Sequence, residues 1–224
     1  MKINIAIDGP GAAGKSTIAK CLAKKLNYVH LDTGAMYRST AYKALQNHIS
    51  LEDEEAVCKM LENTKIQLAT DGSIFLDGED VSDKIRTNEM SLAASLVSKL
   101  AKVRRMLVER QQEMAKEKGF IMDGRDIGTV VLKDAEVKIY MTATPMARAK
   151  RRYEQNIAKN IPTGSIEEIA REIAERDLQD MTRENSPLKK ADDAVEIDTS
   201  DMSIDEVTEF IYSLAKPFIE KEVL

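Results

Sequence analysis

The chain has 224 residues, with 33 Lys and Arg against 38 Asp and Glu, for a net charge of −5. That length predicts one domain, or one core with small insertions, and the acidic balance excludes a general nucleic-acid binder. No apolar run approaches a membrane span, and the first residues read as a strand rather than a signal peptide.

Cys21 and Cys58 are the only cysteines, too few for a disulfide framework or a metal site. They read as buried or half-buried thiols, with a reducing cytoplasm as the compartment. There is no Trp and only 4% aromatic residues, so the core must be aliphatic and Met-rich.

In chain order, Ile3, Ile5 and Ile7 form a β-branched run that predicts a strand. Next come Gly9, Pro10, Gly11, Ala12, Ala13, Gly14, Lys15, Ser16 and Thr17, which contain the phosphate-binding loop pattern. Ile18, Leu22 and Leu26 then recur at helical spacing. Strand, glycine loop and helix are the context the pattern requires. Glycines let the main chain wrap an anion, and free N–H groups at the helix start point at it. Lys15 adds a full charge near the β- and γ-phosphates of a nucleotide, and the Ser16 hydroxyl is placed to ligate Mg²⁺.

Tyr28–Leu31 predicts a second strand, and Asp32 with Thr33 can cap a helix over about 34–47. Tyr37 and Arg38 fall in its first turns, near the strand end where ligands bind in open α/β sheets. Residues 53–62 predict a short acidic helix. Residues 65–69 and 73–76 predict strands joined at Asp71-Gly72, with 79–81 as a third. This small antiparallel piece needs another body to pack on. Residues 88–98 and 101–118 predict helices, with Met106 and Met114 as core filler.

Phe120–Met122 predicts a buried strand that ends in Asp123-Gly124-Arg125-Asp126. An acid at a strand tip facing a phosphate loop can hold Mg²⁺ through water or orient a substrate. Val137–Met141 predicts another strand. Thr144-Pro145 opens a helix that carries Arg148, Arg151 and Arg152 on one face. Pro162-Thr163-Gly164 breaks it, and Ser165 with Glu168 forms a capping box for the next. Arg176, Asp180 and Arg183 share one face there, while Ile166, Ile169 and Ile173 pack the start of the other. Two helices around a break have the form of a lid. A last strand at 194–197, a second capping box at Ser203 with Glu206, and a helix with Ile204, Val207, Ile211, Leu214 and Phe218 buried close the chain. The alternation predicts a parallel sheet with helices on both faces.

A phosphate loop alone leaves several classes open. A switch GTPase needs an Asn/Thr-Lys-x-Asp element, which is absent from the sequence. A small-molecule kinase needs a second anion site and a lid that excludes water. The arginines at 38, 104, 125, 148, 151, 152, 176 and 183 suit that need. A kinase for UMP or a sugar-like acid, and a nucleotide-binding regulator without turnover, stay open on these residues alone. His30 and His48 read as structural or surface residues.

Whole motifs go further. Ile7-Asp8-Gly9-Pro10, the 32–38 stretch DTGAMYR, the 123–131 stretch DGRDIGTVV, Glu175-Arg176-Asp177 and Pro187-Leu188 together resemble the bacterial cytidylate kinase family. Gly78-Glu79-Asp80-Val81-Ser82 resembles the insertion of its bacterial members. The resemblance implies an α/β, three-layer P-loop kinase fold: a central parallel sheet flanked by helices, with a small antiparallel insertion and a helical lid. It implies a single kinase domain over 1–224, an insertion at about 63–87 and a lid at about 148–187. The implied reaction moves a phosphoryl group from ATP to CMP or dCMP with Mg²⁺, in a monomer without nucleic-acid or membrane partners.

By the same resemblance, Lys15, Asp123, Arg125 and Arg176 are catalytic. Ser16 and, through water, Asp123 hold the metal. Residues 9–17 hold ATP, with Arg148, Arg151 and Arg152 as candidates. Arg38 and Arg125, with Tyr37 nearby, hold the acceptor phosphate. Ser95, Arg104 and Asp126 read cytosine beside Thr33, and Arg176, Asp180 and Arg183 approach the sugar and phosphates. Ala12 stands where many relatives have Gly, which requires an alanine-compatible backbone angle at that position.

Overall fold

A computed structural model describes residues 1–69, 72–158 and 160–220. The chain runs β1 (Ile5–Asp8), α1 (Lys15–Leu26), β2 (Val29–Asp32), α2 (Thr33–Gln46), α3 (Glu54–Glu62), β3 (Ile66–Leu68), β4 (Ile74–Leu76) and β5 (Glu79–Asp80). It continues through α4 (Asn88–Val97), α5 (Ala101–Met114), β6 (Phe120–Gly124), a π-helical turn at Ile127–Val131 and β7 (Val137–Thr142). It ends with α6 (Pro145–Ala158), α7 (Ile166–Thr182), β8 (Val195–Asp198) and α8 (Ile204–Ile219). The contacts divide it into two compact units, one of Met1–Tyr28 with the chain from Lys118 on, the other of Val29–Glu117.

In the first unit the strands lie in the order β6-β1-β7-β8, and each pair is parallel. β1 is an inner strand, covered on both faces, which explains its run of buried isoleucines. Ile5 and Ile7 pack with Ile18, Leu22, Ile121, Ile139, Val207 and Ile211 from the neighbouring strands and from α1 and α8. Each fully buried aliphatic side chain of this kind contributes about 1.5–3 kcal/mol. Register sets the site: Ile7 lies beside Asp123, and Asp8 beside Gly124. The loop after β1 and the segment after β6 therefore leave the sheet side by side.

The closing helix follows its predicted stripe in part. Val207 and Ile211 are buried and Leu214 and Phe218 are half-buried, but Ile204 is 50% exposed. It sits at the first turn of α8, beyond the sheet, where it borders a surface cavity instead of the core. Cys21 is exposed on α1, not buried, and Cys58 is half-buried. At α1 the core takes Ile18, Ala19, Leu22 and Ala23, and position 21 falls on the opposite face.

The second unit is mainly helical. Met36 of α2, Leu61 of α3 and Leu107 of α5 are fully buried. Arg110 ties α5 to α3 by donating to the Thr64 and Leu61 carbonyls, at 3.0 and 2.6 Å. Both carbonyls lie at or just past the end of α3, and that of Leu61 also accepts the Thr64 amide at 3.0 Å. β3, β4 and β5 form a three-stranded antiparallel sheet. Of the turn expected at Asp71-Gly72, Asp71 lies outside the described residues, while Gly72 has φ +89°, the left-handed angle such a turn demands. Both predicted capping boxes form, at Ser165 with Glu168 and at Ser203 with Glu206. Among the described residues no helix is long and apolar enough to cross a membrane.

Candidate functional site

The phosphate loop links β1 to α1. Gly9 has φ +145°, and a Cβ there would stand 2.0 Å from the Met141 carbonyl oxygen, so only glycine fits. Gly14 caps α1 with φ +91° and no side-chain bond, leaving the first amides of the helix to a ligand. Ala12 also lies in the left-handed region, at φ +57°. An alanine adopts that angle only at a cost, which corrects the expectation of an alanine-compatible loop. Gly11 and Ala13 complete the wrap, and Thr17 is exposed at the start of α1.

Lys15 is 5% exposed and its Nζ donates to the Pro10 carbonyl at 2.7 Å. Burial, followed by the nearby Arg125 charge, lowers its pKa to about 7, against the opposing pull of Asp123, Asp8 and Asp180. The Ser16 hydroxyl donates to Asp123 Oδ2 at 2.7 Å. A hydroxyl and a carboxylate in contact at the mouth of a phosphate loop are hard oxygen donors, which fits Mg²⁺.

Arg125, just past β6, donates from Nε to Asp180 Oδ2 of α7 at 2.8 Å. Burial works against its charge, but Asp180, Asp177 and Asp123 raise its pKa. Asp180 is held below the usual carboxylate range despite its own burial, by Arg125 first and then by Arg176 and Arg183. Arg183 Nη1 lies 3.8 Å from Asp180. The face predicted at 176, 180 and 183 therefore gathers one carboxylate among several guanidinium groups.

The three arginines of α6 separate. Arg148 is 3% exposed; it donates to the Gly11 carbonyl at 3.0 Å and pairs with Asp177 at 2.6 Å. Arg151 donates to Thr199 Oγ1 at 3.2 Å, beyond β8. Arg151 and Arg152 line a cavity of about 380 Å³, with Ala12, Gly14, Thr17, Met202 and Ile204 among its other walls. Sequence reasoning found the arginines but gave no role to Asp177, named only within a motif, and did not pick out Thr199; these are their partners. It also assigned no role to Asp8, whose signal was an acid ending an otherwise apolar buried strand.

Asp126 is buried at 4% exposure, at the base of the π-helical turn. In the second unit, Asp32 accepts from the Ala35 amide at 2.9 Å and so caps α2. Its other oxygen pairs with Arg38 Nη2 at 2.8 Å. The Arg104 guanidinium lies 5.5 Å from the centroid of the Tyr37 ring, a cation–π placement. It also donates to the Ser98 carbonyl at 3.3 Å. Thr33, Tyr37 and Arg104 are buried and Ser95 is half-buried on α4.

Two solved structures share the fold at low identity. An uncharacterized protein from Eubacterium ventriosum matches with TM-score 0.54 at 13% identity, covering 97% of this chain and 99% of that one. A shikimate kinase from Bacteroides thetaiotaomicron matches with TM-score 0.51 at 11% identity, covering 96% and 99%. These establish the P-loop kinase fold. Sequence relatives are much nearer. The cytidylate kinase of Geobacillus sp. (strain WCH70) is 51% identical over 215 residues, 95% of this chain and 96% of its own. That of Listeria monocytogenes is 51% identical over 217 residues, 96% of each. The family model for cytidylate kinase matches residues 5–217. With the phosphate loop, the DGRD segment and the arginine-rich helices on this fold, the chain belongs to the cytidylate kinase family.

Proposed function

We propose that the chain transfers the γ-phosphoryl group of ATP to CMP or dCMP, releasing ADP and the nucleoside diphosphate. The observation that carries this reading is Lys15: a buried amine in a phosphate loop, beside Arg125 and the Ser16–Asp123 contact. Phosphoryl transfer asks the protein for position and charge rather than covalent chemistry. Free amides of the loop and Lys15 hold the donor phosphates. Ser16 and Asp123 would hold Mg²⁺, which supplies charge neutralisation on the phosphates. Arg151 and Arg152, on the cavity beside the loop, take the nucleoside end of ATP. Arg148 instead braces the loop through Gly11.

Arg38, Tyr37 and Arg125 are assigned the acceptor phosphate, and Arg176, Asp180 and Arg183 its sugar side. Ser95, Arg104 and Asp126, with Thr33, are assigned the base. Cytosine presents an amino donor beside a ring acceptor; an Asp accepts from the first and an Arg donates to the second. Uracil reverses both groups and leaves buried charges unmatched, a mismatch that discriminates strongly. The α6–α7 pair acts as the lid that keeps water from the phosphoryl group. The enzyme works as a cytoplasmic monomer.

The test is ADP release from Mg²⁺-ATP with CMP, dCMP, UMP, AMP and GMP offered singly. CMP and dCMP should each exceed UMP by at least tenfold. Equal activity on UMP discards the base reader, and silence across the panel with ATP still bound discards the kinase.

A further inference from the structure

Asp8 is the last residue of β1 and is 4% exposed. Its two carboxylate oxygens are used separately. Oδ1 accepts the Ile127 amide at 2.7 Å and Oδ2 the Gly128 amide at 2.7 Å. These are short, charge-assisted bonds to consecutive residues. The amides lie one and two residues beyond Asp126. The carbonyl of Asp126 accepts in turn from Val130 and Val131, at 2.9 and 3.3 Å, which closes the π-helical turn. Such turns are rare and frequent at functional sites.

Stability alone is a poor reason for this carboxylate. Burial pushes Asp8 up to about 6 even against the two amides, and a buried charge is weak grounds for stability. Gly128 is fitted to it as well. A Cβ at Gly128 would stand 3.4 Å from Asp8 Oδ2 and 3.3 Å from Lys138 Cδ.

We propose that Asp8 is a positioning residue for acceptor recognition: its carboxylate grips the Ile127 and Gly128 amides and so fixes the backbone that carries Arg125 and Asp126. The inference rests on the reading above, in which those two side chains hold the acceptor. It joins the strand that opens the donor loop to the segment that reads the acceptor.

Asp8→Asn is the direct test. An Asn side chain accepts with one oxygen only and turns its NH₂ toward the second amide. The KM for CMP should rise at least tenfold and the CMP-over-UMP preference should fall at least fivefold. Affinity for a non-hydrolysable Mg²⁺-ATP analogue, measured without acceptor, should fall less than the KM for CMP rises, because Asp8 reaches the donor site only through its charge near Lys15. Gly128→Ala presses on the same contact from the other side and should shift the same two acceptor readouts. The double variant should lose less than the product of the single losses. Equal damage to donor and acceptor binding, or an unchanged KM for CMP, overturns the proposal. If Asp8→Asn does not fold, Gly128→Ala decides by the same readouts. A wild-type chain without CMP-dependent ADP release fails the acceptor reading itself; activity in the wild type with no change in the variants fails only the role of Asp8.

Discussion

The phosphate loop and the α6–α7 helix pair both present buried cations, but they keep them in opposite conditions. Lys15 donates to a neutral carbonyl and its pKa is lowered to about 7, chiefly by burial. Arg148 and Arg183 lie against Asp177 and Asp180 on the next helix or the next turn. A lysine loses its proton when desolvated, whereas a guanidinium keeps it and needs a counter-charge instead. The loop therefore acquires its charge from the nucleotide, while the helix pair holds its charge ready-matched.

Replacing Lys15 by Met is the harshest test of that contrast. It removes the one side-chain charge aimed at the donor phosphates from within the loop. CMP-dependent ADP release should fall at least 10³-fold, about 4 kcal/mol of transition-state stabilisation. A loss under tenfold would mean that the arginines carry the donor charge, and the contrast would fail.

Asp177→Asn tests the other half. Arg148 is 3% exposed and would keep its charge and its two carbonyl acceptors, at Ala143 and Gly11, but lose its counter-charge. Removing one partner of a buried pair costs about 3 kcal/mol, roughly 6–12 °C in Tm for a chain of this size. Thermal unfolding followed by circular dichroism reads it directly. An unchanged Tm would show that water, rather than Asp177, satisfies the guanidinium.

The lowered pKa of Lys15 also has a sign that calorimetry can read. At pH 8 an amine of pKa about 7 is mostly neutral. Phosphates beside it restore the charged form, so ATP binding takes up close to one proton. Titrations in two buffers of different ionisation enthalpy should show this uptake, and affinity should weaken as pH rises above 7, by up to about 1.4 kcal/mol per unit. Proton release, or none, would mean that Lys15 is already charged before ATP arrives.

The loop was legible because its chemistry is backbone chemistry, and backbone needs leave glycines at fixed spacing. Gly9 at φ +145° and Gly14 at φ +91° are such marks. The parallel strands were legible from β-branched runs, and the helix starts from Ser165 and Ser203. The pairings were not. That Arg148 would turn inward to Gly11, while Arg151 reaches Thr199, depends on where α6 lies against the loop and β8. No spacing within α6 encodes that. The π-helical turn was hidden for a related reason: residues 127–131 carry no turn signature of their own, and their shape depends on a carboxylate more than a hundred residues earlier in the chain.

The smallest effect lies in the loop itself. Ala12 holds φ +57°, a left-handed angle that costs an L-residue with a side chain roughly 1–2 kcal/mol. Glycine removes that cost but gives the unfolded chain more freedom, which takes back about 0.4–1 kcal/mol. Ala12→Gly should therefore stabilise the protein by roughly 0–1.6 kcal/mol, up to about 3–6 °C in Tm. Because the angle is kept, the kinetics with CMP should be unchanged. A lower Tm would mean that the alanine methyl, which borders the cavity beside Arg151 and Arg152, contributes packing that outweighs the backbone strain. The loop would then be held by its walls as much as by its glycines, and its difference from the helix pair would narrow.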